Sequence, residues 1–225
     1  MVVMIIVTSN IFGKVRVETI NGLRYRLNST TKTATVISFN GRLNKDSLNV
    51  PRKVKASDHC LYLVTSLGNS CFSGCTSLTF ITIPSSVTSL GDFCFSGCSS
   101  LASVTIPFSV TSLGYGCFSG CSSLVSFIVP SSVEFLGCGC FSGCSSLISI
   151  TVPSDVSIDT SRGVETIFED CKKLEKVIFK GELSSDSDTN FWGLSKTCNI
   201  FVPEEYLQEY KNAFKGYPNI YPSRE

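Results

Sequence analysis

Twelve cysteines are the side chains of this 225-residue sequence that could most readily do chemistry. Eight of them form C-x-x-x-C pairs, which are Cys71/Cys75, Cys94/Cys98, Cys117/Cys121 and Cys140/Cys144, and the others are Cys60, Cys138, Cys171 and Cys198. Because successive pairs lie 23 residues apart, equivalent cysteines are expected to form two columns in a stacked structure. We favour buried free thiols, since a buried cysteine packs as a small apolar side chain. Disulfides between neighbouring units are the alternative, because the spacing of stacked strands falls within the Cα separations that a disulfide allows.

The sequence gives little support for any other metal-binding or catalytic site. Zinc is disfavoured because C-x-x-C knuckles are absent and His59 is the only histidine. His59 and Cys60 lack the orienting third group that a Cys–His nucleophile needs. The run 186–190 resembles the start of a calcium loop, but Phe191 stands where glycine is needed and Thr197 where the closing Glu is needed. We therefore expect no cofactor, no metal and no enzyme activity.

The cysteine pairs are positioned by a 23-residue unit that repeats. Four consecutive units open with the string CFSGC and continue to an apolar segment with the pattern L-x-x-L-x-L and a proline. These segments are 78–83, 101–106, 124–129 and 147–152. A fifth, diverged unit has Phe168, Cys171, Leu174, Val177 and Phe179 in the corresponding places. The repeat predicts a leucine-rich-repeat solenoid, mainly β, whose parallel strands stack into a curved sheet.

Within each unit, residue types predict local roles. The proline should end the strand, because it cannot donate the next hydrogen bond of the ladder. The Phe of CFSGC should fill the core from the side opposite the strand. Three of the units also contain a Leu-Gly pair, at 90–91, 113–114 and 136–137. Its glycine is expected to let the backbone turn at low steric cost.

The ends of the chain differ from the repeats. We expect an N-terminal β cap (1–58), the solenoid (59–180), and a C-terminal loop and capping helix (181–225). In the cap, 15–18, 23–27 and 34–39 resemble short strands, with a hairpin turn at 28–32. The apolar start Met1–Val7 is expected to be a buried strand and not a signal peptide. At the other end, the segment 203–214 begins with proline and acids, which predicts a helix.

Charge is distributed unevenly although the formal net charge is only +1. Residues 1–70 carry ten Lys or Arg against three acids, and residues 154–225 carry nine against thirteen. This asymmetry would allow weak head-to-tail self-association, but we favour solvated caps as its explanation. The four full repeats contain no Lys or Arg, which argues against nucleic-acid binding. No segment reaches the roughly 18–20 apolar residues needed to span a bilayer, so we expect no direct membrane insertion.

The remaining candidate for function is the outward face of the strands, since period-2 alternation places every second side chain there. The predicted binding face consists of Phe80, Thr82, Ser103, Thr105, Val125, Ser126, Ile128, Ile148, Ser149, Thr151 and Ile178. Glu175 and Lys176 are also predicted to point outward. The face is rich in hydroxyls, with an apolar streak through Val125, Ile128, Ile148 and Ile178. Hydroxyls suit glycans or peptides and exposed aliphatic side chains suit protein contact, although Ser and Thr are also common at exposed strand positions.

The string CFSGCSSLxSxxxPxSVxxLG resembles the repeat of the BspA-like leucine-rich-repeat family of bacterial and protozoan surface proteins. The resemblance covers about residues 60–180. The stretches Ile200–Pro203 and Tyr210–Ala213 are also similar to the closing segment of such proteins. The main departure is Cys before the Phe of each unit, where the family often has Ala. The resemblance implies a cell-surface or secreted location and adhesive binding to proteins or glycans.

Three functional hypotheses follow. The leading one is a non-enzymatic module that binds a host or neighbouring-cell protein or glycan on its sheet face. The alternative is a structural stalk or spacer without its own ligand. A third is a weak enzyme or redox protein built on the two cysteine columns. Thiol titration tests the third hypothesis, and full-length context separates the first two, because a stalk should join other domains or a wall anchor. A binding screen against glycans and matrix proteins would be the most informative experiment.

Overall fold

The computed structural model describes residues 15–39, 46–154, 156–159, 166–182 and 192–223. The strands are β1 (Val15–Ile20), β2 (Leu23–Asn28), β3 (Thr33–Phe39), β4 (Ser47–Asn49), β5 (Lys53–Lys55), β6 (Leu61–Leu67), β7 (Phe80–Thr82), β8 (Ser89–Leu90), β9 (Ser112–Leu113), β10 (Ser126–Ile128), β11 (Phe135–Gly137), β12 (Ser149–Val152), β13 (Ser157–Asp159), β14 (Lys176–Phe179), β15 (Asn199–Val202) and β16 (Ile220–Pro222). One helix, α1 (Leu207–Ala213), follows a 3-10 turn at Glu204–Tyr206 in the described residues. The regular elements are therefore almost all strands in the described residues, as the repeat predicts.

Each repeat contributes to two stacks of strands. One sheet runs in the order β1-β2-β3-β6-β8-β9-β11-β13, with β5 added beside β6, and it is parallel from β3 onward along this order. The other is the parallel sheet β10-β12-β14-β15-β16, preceded along the chain by the pair β4–β7. We call this second face, formed by the L-x-x-L-x-L segments and their continuation in β15 and β16, the open face. A single curved sheet was predicted from the sequence. The structure corrects this expectation, because the repeats form the first sheet as well as the open face.

The Leu-Gly pairs explain that correction. They were expected to turn, but they lie in or beside β8, β9 and β11, where each rung contacts the rung before it. A Cβ atom on Gly114 would lie 2.5 Å from the carbonyl carbon of Gly91, and one on Gly137 would lie 2.6 Å from that of Gly114. These glycines are therefore needed for the close approach of successive backbones. The glycines of CFSGC do adopt the left-handed conformation of a tight turn, with φ of 72° at Gly74 and 73° at Gly97.

A column of aromatic rings fills the core along the solenoid. The rings of Phe72, Phe95, Phe118 and Phe141 stack with centroid separations of 5.4, 5.3 and 5.7 Å. Phe168 and Trp192 extend the column at 5.9 Å each. The predicted inward roles of the CFSGC phenylalanines and of the fifth unit are confirmed, since all of these side chains are buried. Trp192, which the sequence placed in a loop, occupies the position of a repeat phenylalanine.

The predicted caps are present in the described residues. β1, β2 and β3 form antiparallel neighbours, with the turn between β2 and β3 where it was expected. In the C-terminal segment, the helix is shorter than predicted. Tyr210 and Phe214 are buried against Phe179, with ring centroids 5.1 and 6.2 Å from the Phe179 ring. The predicted strand Met1–Val7 lies outside the described residues. The stack of strands continues past residue 180 through β15 and β16, and the division of the chain at residues 58 and 180 stays a prediction.

Candidate binding face

The first cysteine of each pair faces the interior. Cys71, Cys94, Cys117 and Cys140 are all buried, and the sulfur atoms of Cys71 and Cys94 lie 3.5 Å apart. Burial raises the pKa of Cys94 and Cys140 well above the ordinary value for a thiol. A nucleophilic cysteine needs the opposite shift, because the thiolate is the reactive form. This column is therefore suited to packing.

The second cysteine of the later pairs has a structural hydrogen bond. Its thiol donates to the backbone carbonyl of the phenylalanine one rung earlier, as Cys98 does to Phe72 at 3.2 Å and Cys171 to Phe141 at 3.1 Å. Cys121 and Cys144 repeat the contact at 3.3 Å. Burial raises the pKa of Cys98 and of Cys171 to about 12. These thiols provide hydrogen-bond donors to carbonyl oxygens inside the structure, where a buried polar group is costly without a partner.

The N-terminal cap contains the densest cluster of charged groups in the described residues. The Glu18 carboxylate is fully buried and accepts hydrogen bonds from Arg16 at 2.6 Å and from the hydroxyl and backbone N–H of Ser57 at 2.7 and 3.0 Å. Arg16 also pairs with Asp58 at 2.9 Å, and the Tyr62 hydroxyl donates to Asp58 at 2.7 Å. Burial alone would raise the pKa of Glu18, but the hydrogen bonds from Ser57 and Arg16 outweigh it, so the pKa is lowered. The cluster fastens β1 to the segment before β6.

Two of the weaker candidates for chemistry, His59 and Cys60, lie between β5 and β6. Cys60 is half-buried and accepts a hydrogen bond from the Lys32 ammonium at 3.3 Å. His59 is exposed in a turn with a φ of 62°. The segment 186–191 lies outside the described residues. In the described part of the chain, no group of three or more His, Cys, Asp or Glu side chains is arranged to hold a metal ion.

The predicted binding-face residues all lie on the open face, exposed or half-buried, and none is in the core. The exposed ones are Phe80, Thr82, Ser103, Thr105, Val125, Ser126, Ile128 and Ile148, and the half-buried ones are Ser149, Thr151 and Ile178. Between them the inward positions Ile81, Phe127 and Ile150 are buried. The inward and outward assignment of the strands is therefore confirmed. That these residues bind a ligand stays a prediction.

Strand register aligns one outward residue from each of five successive rungs. Ile128 pairs with Thr151, Thr151 with Ile178, Ile178 with Phe201, and Phe201 with Tyr221. We call this line of residues the apolar row. It continues the streak predicted through Ile128 and Ile178, whereas Val125 and Ile148 lie on a separate line, three residues earlier along the chain than Ile128 and Thr151. On the N-terminal side the same line is polar, with Thr105, Thr82 and Asn49.

The open face is interrupted where the polar and apolar parts meet. The described residues include a bridge between Thr82 and Thr105, but no ladder pair joins Thr105 to Ile128, so β10 is an edge strand. Backbone contact there is a single long hydrogen bond within the described part of the chain, from Val125 N–H to Ala102 O at 3.5 Å. The interruption coincides with Phe127, whose bulky ring packs between Phe118 and Phe141 at 5.1 and 4.8 Å.

A groove of about 780 Å³ occupies this interruption. Its lining includes the exposed side chains of Phe108 and Ile128, both 73% exposed, together with Val104, Pro130 and Lys180. Val104 is only partly buried, unlike the residues at its position in neighbouring rungs. The groove therefore reaches toward the core between two rungs, and it presents apolar surface to solvent.

A second cavity of about 410 Å³ continues along the apolar row. It is lined by Lys176, Ile178, Lys180, Phe201, Tyr221, Pro222 and Ser223. Lys180 contributes to both cavities, so they adjoin. Together the cavities and the row form an extended surface that crosses several rungs. The face can hold an extended ligand by apolar contact and hydroxyl hydrogen bonds.

Sequence reasoning missed several residues of this surface. Phe108 follows a proline where other units have serine, as at Ser85 and Ser131, so an alignment of the units would have shown it as a departure from the repeat. Phe201 and Tyr221 lie in β15 and β16, which the sequence assigned to the C-terminal cap. The alternation of Ile200 and Val202, both buried, was a usable signal for β15.

A family model described as "BspA type Leucine rich repeat region" matches residues 59–162 and 164–222 in six copies. The chain belongs to the BspA-type leucine-rich-repeat family. The match covers most of the sequence and includes the segment of β15 and β16. It confirms the family that the CFSGC units resemble, and with the observed stacking it confirms the predicted solenoid of about 23-residue repeats.

Solved structures of leucine-rich-repeat proteins share this fold. The chain is similar to a T. pallidum leucine-rich-repeat protein (TpLRR), with a TM-score of 0.64, 19% identity, and coverage of 91% of this chain and 85% of that one. It is also similar to the pneumococcal vaccine antigen PcpA, with a TM-score of 0.70 and 17% identity, over 93% of this chain and 48% of that one. A Bacteroides capillosus leucine-rich-repeat protein has a TM-score of 0.52 and 21% identity, over 73% and 99%. These identities establish a shared fold.

Two further comparisons bound the assignment. No curated protein sequence matches this chain. Within the described ranges, no helix has the length and apolar character to cross a membrane.

Proposed function

We propose that this repeat protein is a non-enzymatic binding module that holds an extended protein or glycan ligand along the apolar row. The observation that carries the proposal is the alignment of the row with two adjoining cavities, of about 780 and 410 Å³. An exposed apolar patch of this kind commonly marks an interaction site. Ile128, at the middle of the surface, is 73% exposed.

The geometry favours a ligand that lies along the solenoid axis. Neighbouring strands are about 4.8 Å apart, so the five residues of the row span roughly 19 Å. A rigid surface of this length loses little conformational entropy on binding, which supports affinity without a deep pocket. Phe108 and Ile128 provide apolar anchors in the groove, and the hydroxyls of Ser103 and Thr105 are available beside them.

Membership of the family and the likeness to a pneumococcal antigen support a cell-surface or secreted location, where host or neighbouring-cell proteins or glycans are the available partners. The cysteine columns do not favour an enzyme, because burial raises the pKa of Cys94, Cys98 and Cys121. A structural stalk or spacer is the second candidate. Regular stacking favours it, since a stalk needs rigidity and no ligand site.

The test is a binding screen followed by one pair of matched variants. A glycan array and a panel of immobilised extracellular-matrix proteins are probed with the wild-type chain and with the double variant Ile128→Glu/Ile148→Glu. Both side chains are exposed, so the variant should keep its thermal unfolding midpoint and lose binding. Phe135→Glu is the control, because Phe135 is 51% exposed but lies in β11 of the other sheet.

Salt dependence provides a second criterion. Asp92 and Glu134 are the only charged residues of the four full repeats, so binding centred on Ile128 and Ile148 should change little between about 50 and 500 mM salt. Binding that survives the double variant, or that Phe135→Glu abolishes equally, would place the contact elsewhere. A chain that binds nothing on either panel would favour the stalk.

A further inference from the structure

The C-terminal end of the apolar row differs chemically from the groove around Ile128, where the row begins. The cavity there is lined by two lysines, Lys176 and Lys180, and by two aromatic rings, Phe201 and Tyr221. No acid is among the lining residues in the described part of the chain. The groove around Ile128, in contrast, is lined almost entirely by neutral side chains. The end of the row therefore carries positive charge that the rest of the open face lacks.

Neither lysine is neutralised by the described residues around it. In the described part of the chain no ion pair joins Lys176 or Lys180 to a carboxylate, although Lys172 of the same rung lies 4.0 Å from Asp170. Residues 176, 178 and 180 share one face of β14 and its extension, because side chains alternate along a strand. The two lysines thus flank Ile178 on the cavity side, and the Cα atoms of Lys176 and Lys180 are roughly 13 Å apart.

The two rings form an aromatic floor. Phe201 and Tyr221 are register partners on β15 and β16, with centroids 5.6 Å apart and ring planes inclined by 35°. Tyr221 is 42% exposed. The Lys176 ammonium lies over the Phe201 ring, 4.8 Å from its centroid, which holds the charge beside the floor. Ser223 adds a hydroxyl at the rim.

We propose that this cavity is a subsite for a sugar acid, such as a uronic or sialic acid residue within a glycan chain. The apolar C–H face of the sugar packs on the exposed Tyr221 ring, and its carboxylate is bound by Lys180 or by Lys176, whose ammonium lies over the neighbouring Phe201 ring. The sugar hydroxyls reach Ser223 and the Tyr221 hydroxyl. This inference rests on the proposed function and names the ligand class for one end of the row.

The cavity favours a sugar acid over an acidic peptide. An acidic peptide would bring carboxylates to the lysines, but its side chains offer the aromatic floor little flat apolar surface. A peptide paired along a strand would need a free backbone edge. The cavity lies on the faces of β14, β15 and β16, and of these strands β14 and β15 are paired on both sides, whereas β16 ends the sheet in the described residues. A pyranose ring presents an apolar face and a carboxylate on one rigid unit, matching the adjacent rings and ammonium groups.

The experiment compares each acid with its own neutral form. The probes are an oligosaccharide with alternating glucuronic acid and a sialylated trisaccharide, each beside a carboxyl-reduced copy, and a penta-glutamate peptide. The variants are Lys176→Met/Lys180→Met and Tyr221→Ala, with Lys173→Met as the control for an exposed lysine of the same rung outside the cavity lining. Thermal unfolding midpoints check that each variant is folded.

At least one acidic glycan should bind, with its carboxyl-reduced copy about two- to fivefold weaker, since one exposed charge contact contributes roughly that factor. The double lysine variant should bind the two forms alike, Tyr221→Ala should weaken binding several-fold, and Lys173→Met should match the wild type. Binding should fall as salt rises, unlike binding centred on Ile128.

Equal affinity for the acid and its reduced copy would overturn the proposal, as would binding of neither acid. Equal or tighter binding of the penta-glutamate peptide would also overturn it, in favour of an acidic protein segment. If sugar acids fail while another ligand still binds in a manner that Ile128→Glu/Ile148→Glu abolishes, the subsite is refuted and the proposed function stands. If Ile128→Glu/Ile148→Glu abolishes no binding while the double lysine variant abolishes binding of the acidic glycan, the proposed function centred on Ile128 is refuted and the sugar-acid subsite stands.

Discussion

Replacing Gly114 with alanine should separate two rungs of the solenoid. The new Cβ atom would lie 2.5 Å from the carbonyl carbon of Gly91 and 2.6 Å from the backbone nitrogen of Asp92, where ordinary contact begins near 3.4 Å. Relief requires the two backbones to move apart by almost 1 Å. That movement weakens the bonds from Gly114 N–H to Leu90 O at 2.9 Å and from Tyr115 N–H to the Asp92 side chain at 3.1 Å.

The magnitude follows from these two effects. Forcing an extra carbon into a packed site costs about 1–3 kcal/mol, and each weakened hydrogen bond adds about 1 kcal/mol. The expected loss in the free energy of unfolding is therefore about 3–5 kcal/mol. Because each rung contacts only its neighbours, the loss should fall on the interface between the first and second units.

Gly74→Ala is the matched control. Gly74 has a φ of 72°, but nothing in the described residues lies within 4 Å of a Cβ atom at that position. Its replacement should cost only the left-handed conformation, about 1–2 kcal/mol. Urea unfolding is followed by far-UV circular dichroism for the whole chain and by fluorescence of Trp192, the only tryptophan.

Equal costs for the two substitutions would refute the reasoning. They would mean that the rungs can separate without penalty, or that the Leu-Gly glycine serves turn conformation, as the sequence alone suggested. A larger cost for Gly74→Ala would have the same meaning.

Three other measurements test the core, the thiols and the cap. Leu124→Ala should cost about 2–5 kcal/mol in the free energy of unfolding because the leucine side chain is buried. Thr105→Ala, on the open face, should cost under about 0.5 kcal/mol. Similar values for the two variants in urea unfolding would contradict the inward and outward assignment. Labelling of the native chain with a thiol reagent should be slow, since most of the column cysteines are buried and burial raises the pKa of Cys98, Cys144 and Cys171. Labelling after denaturation should find most of the twelve free, and four or more disulfides by non-reducing mass spectrometry would refute buried thiols. The pKa values of Glu18 and Asp58 are lowered in the folded cap. The stability that these two carboxylates contribute is therefore complete above their ordinary pKa values of 4.5 and 3.8, and it is lost as pH falls through the folded values. Glu18→Gln should reduce the loss of unfolding free energy at acidic pH, and an unchanged loss would contradict this linkage.

Several features of the candidate site could be predicted from the sequence because they depend on local pattern. Period-2 alternation was enough to place Ile128 and Ile178 outward and Phe127 inward. The fixed 23-residue interval was enough to align the cysteines of successive units, and the proposed packing role of the buried ones rests on that alignment. The partners of those thiols, such as the Phe72 carbonyl for Cys98, required coordinates, because they lie one rung away at a distance that the interval does not specify.

Residue spacing along the chain is enough to predict the repeat, the stacking of rungs and the two faces of each strand. Tertiary structure decided which rungs align where the spacing changes. After Pro153 the interval is broken, so only strand register shows that Phe201 and Tyr221 continue the line of Ile128. Tertiary structure also decided where the open face is interrupted, because the ring of Phe127 must be packed among its neighbours. A pattern of residue types specifies which way a side chain points, whereas a binding surface depends on which side chains from distant segments lie side by side.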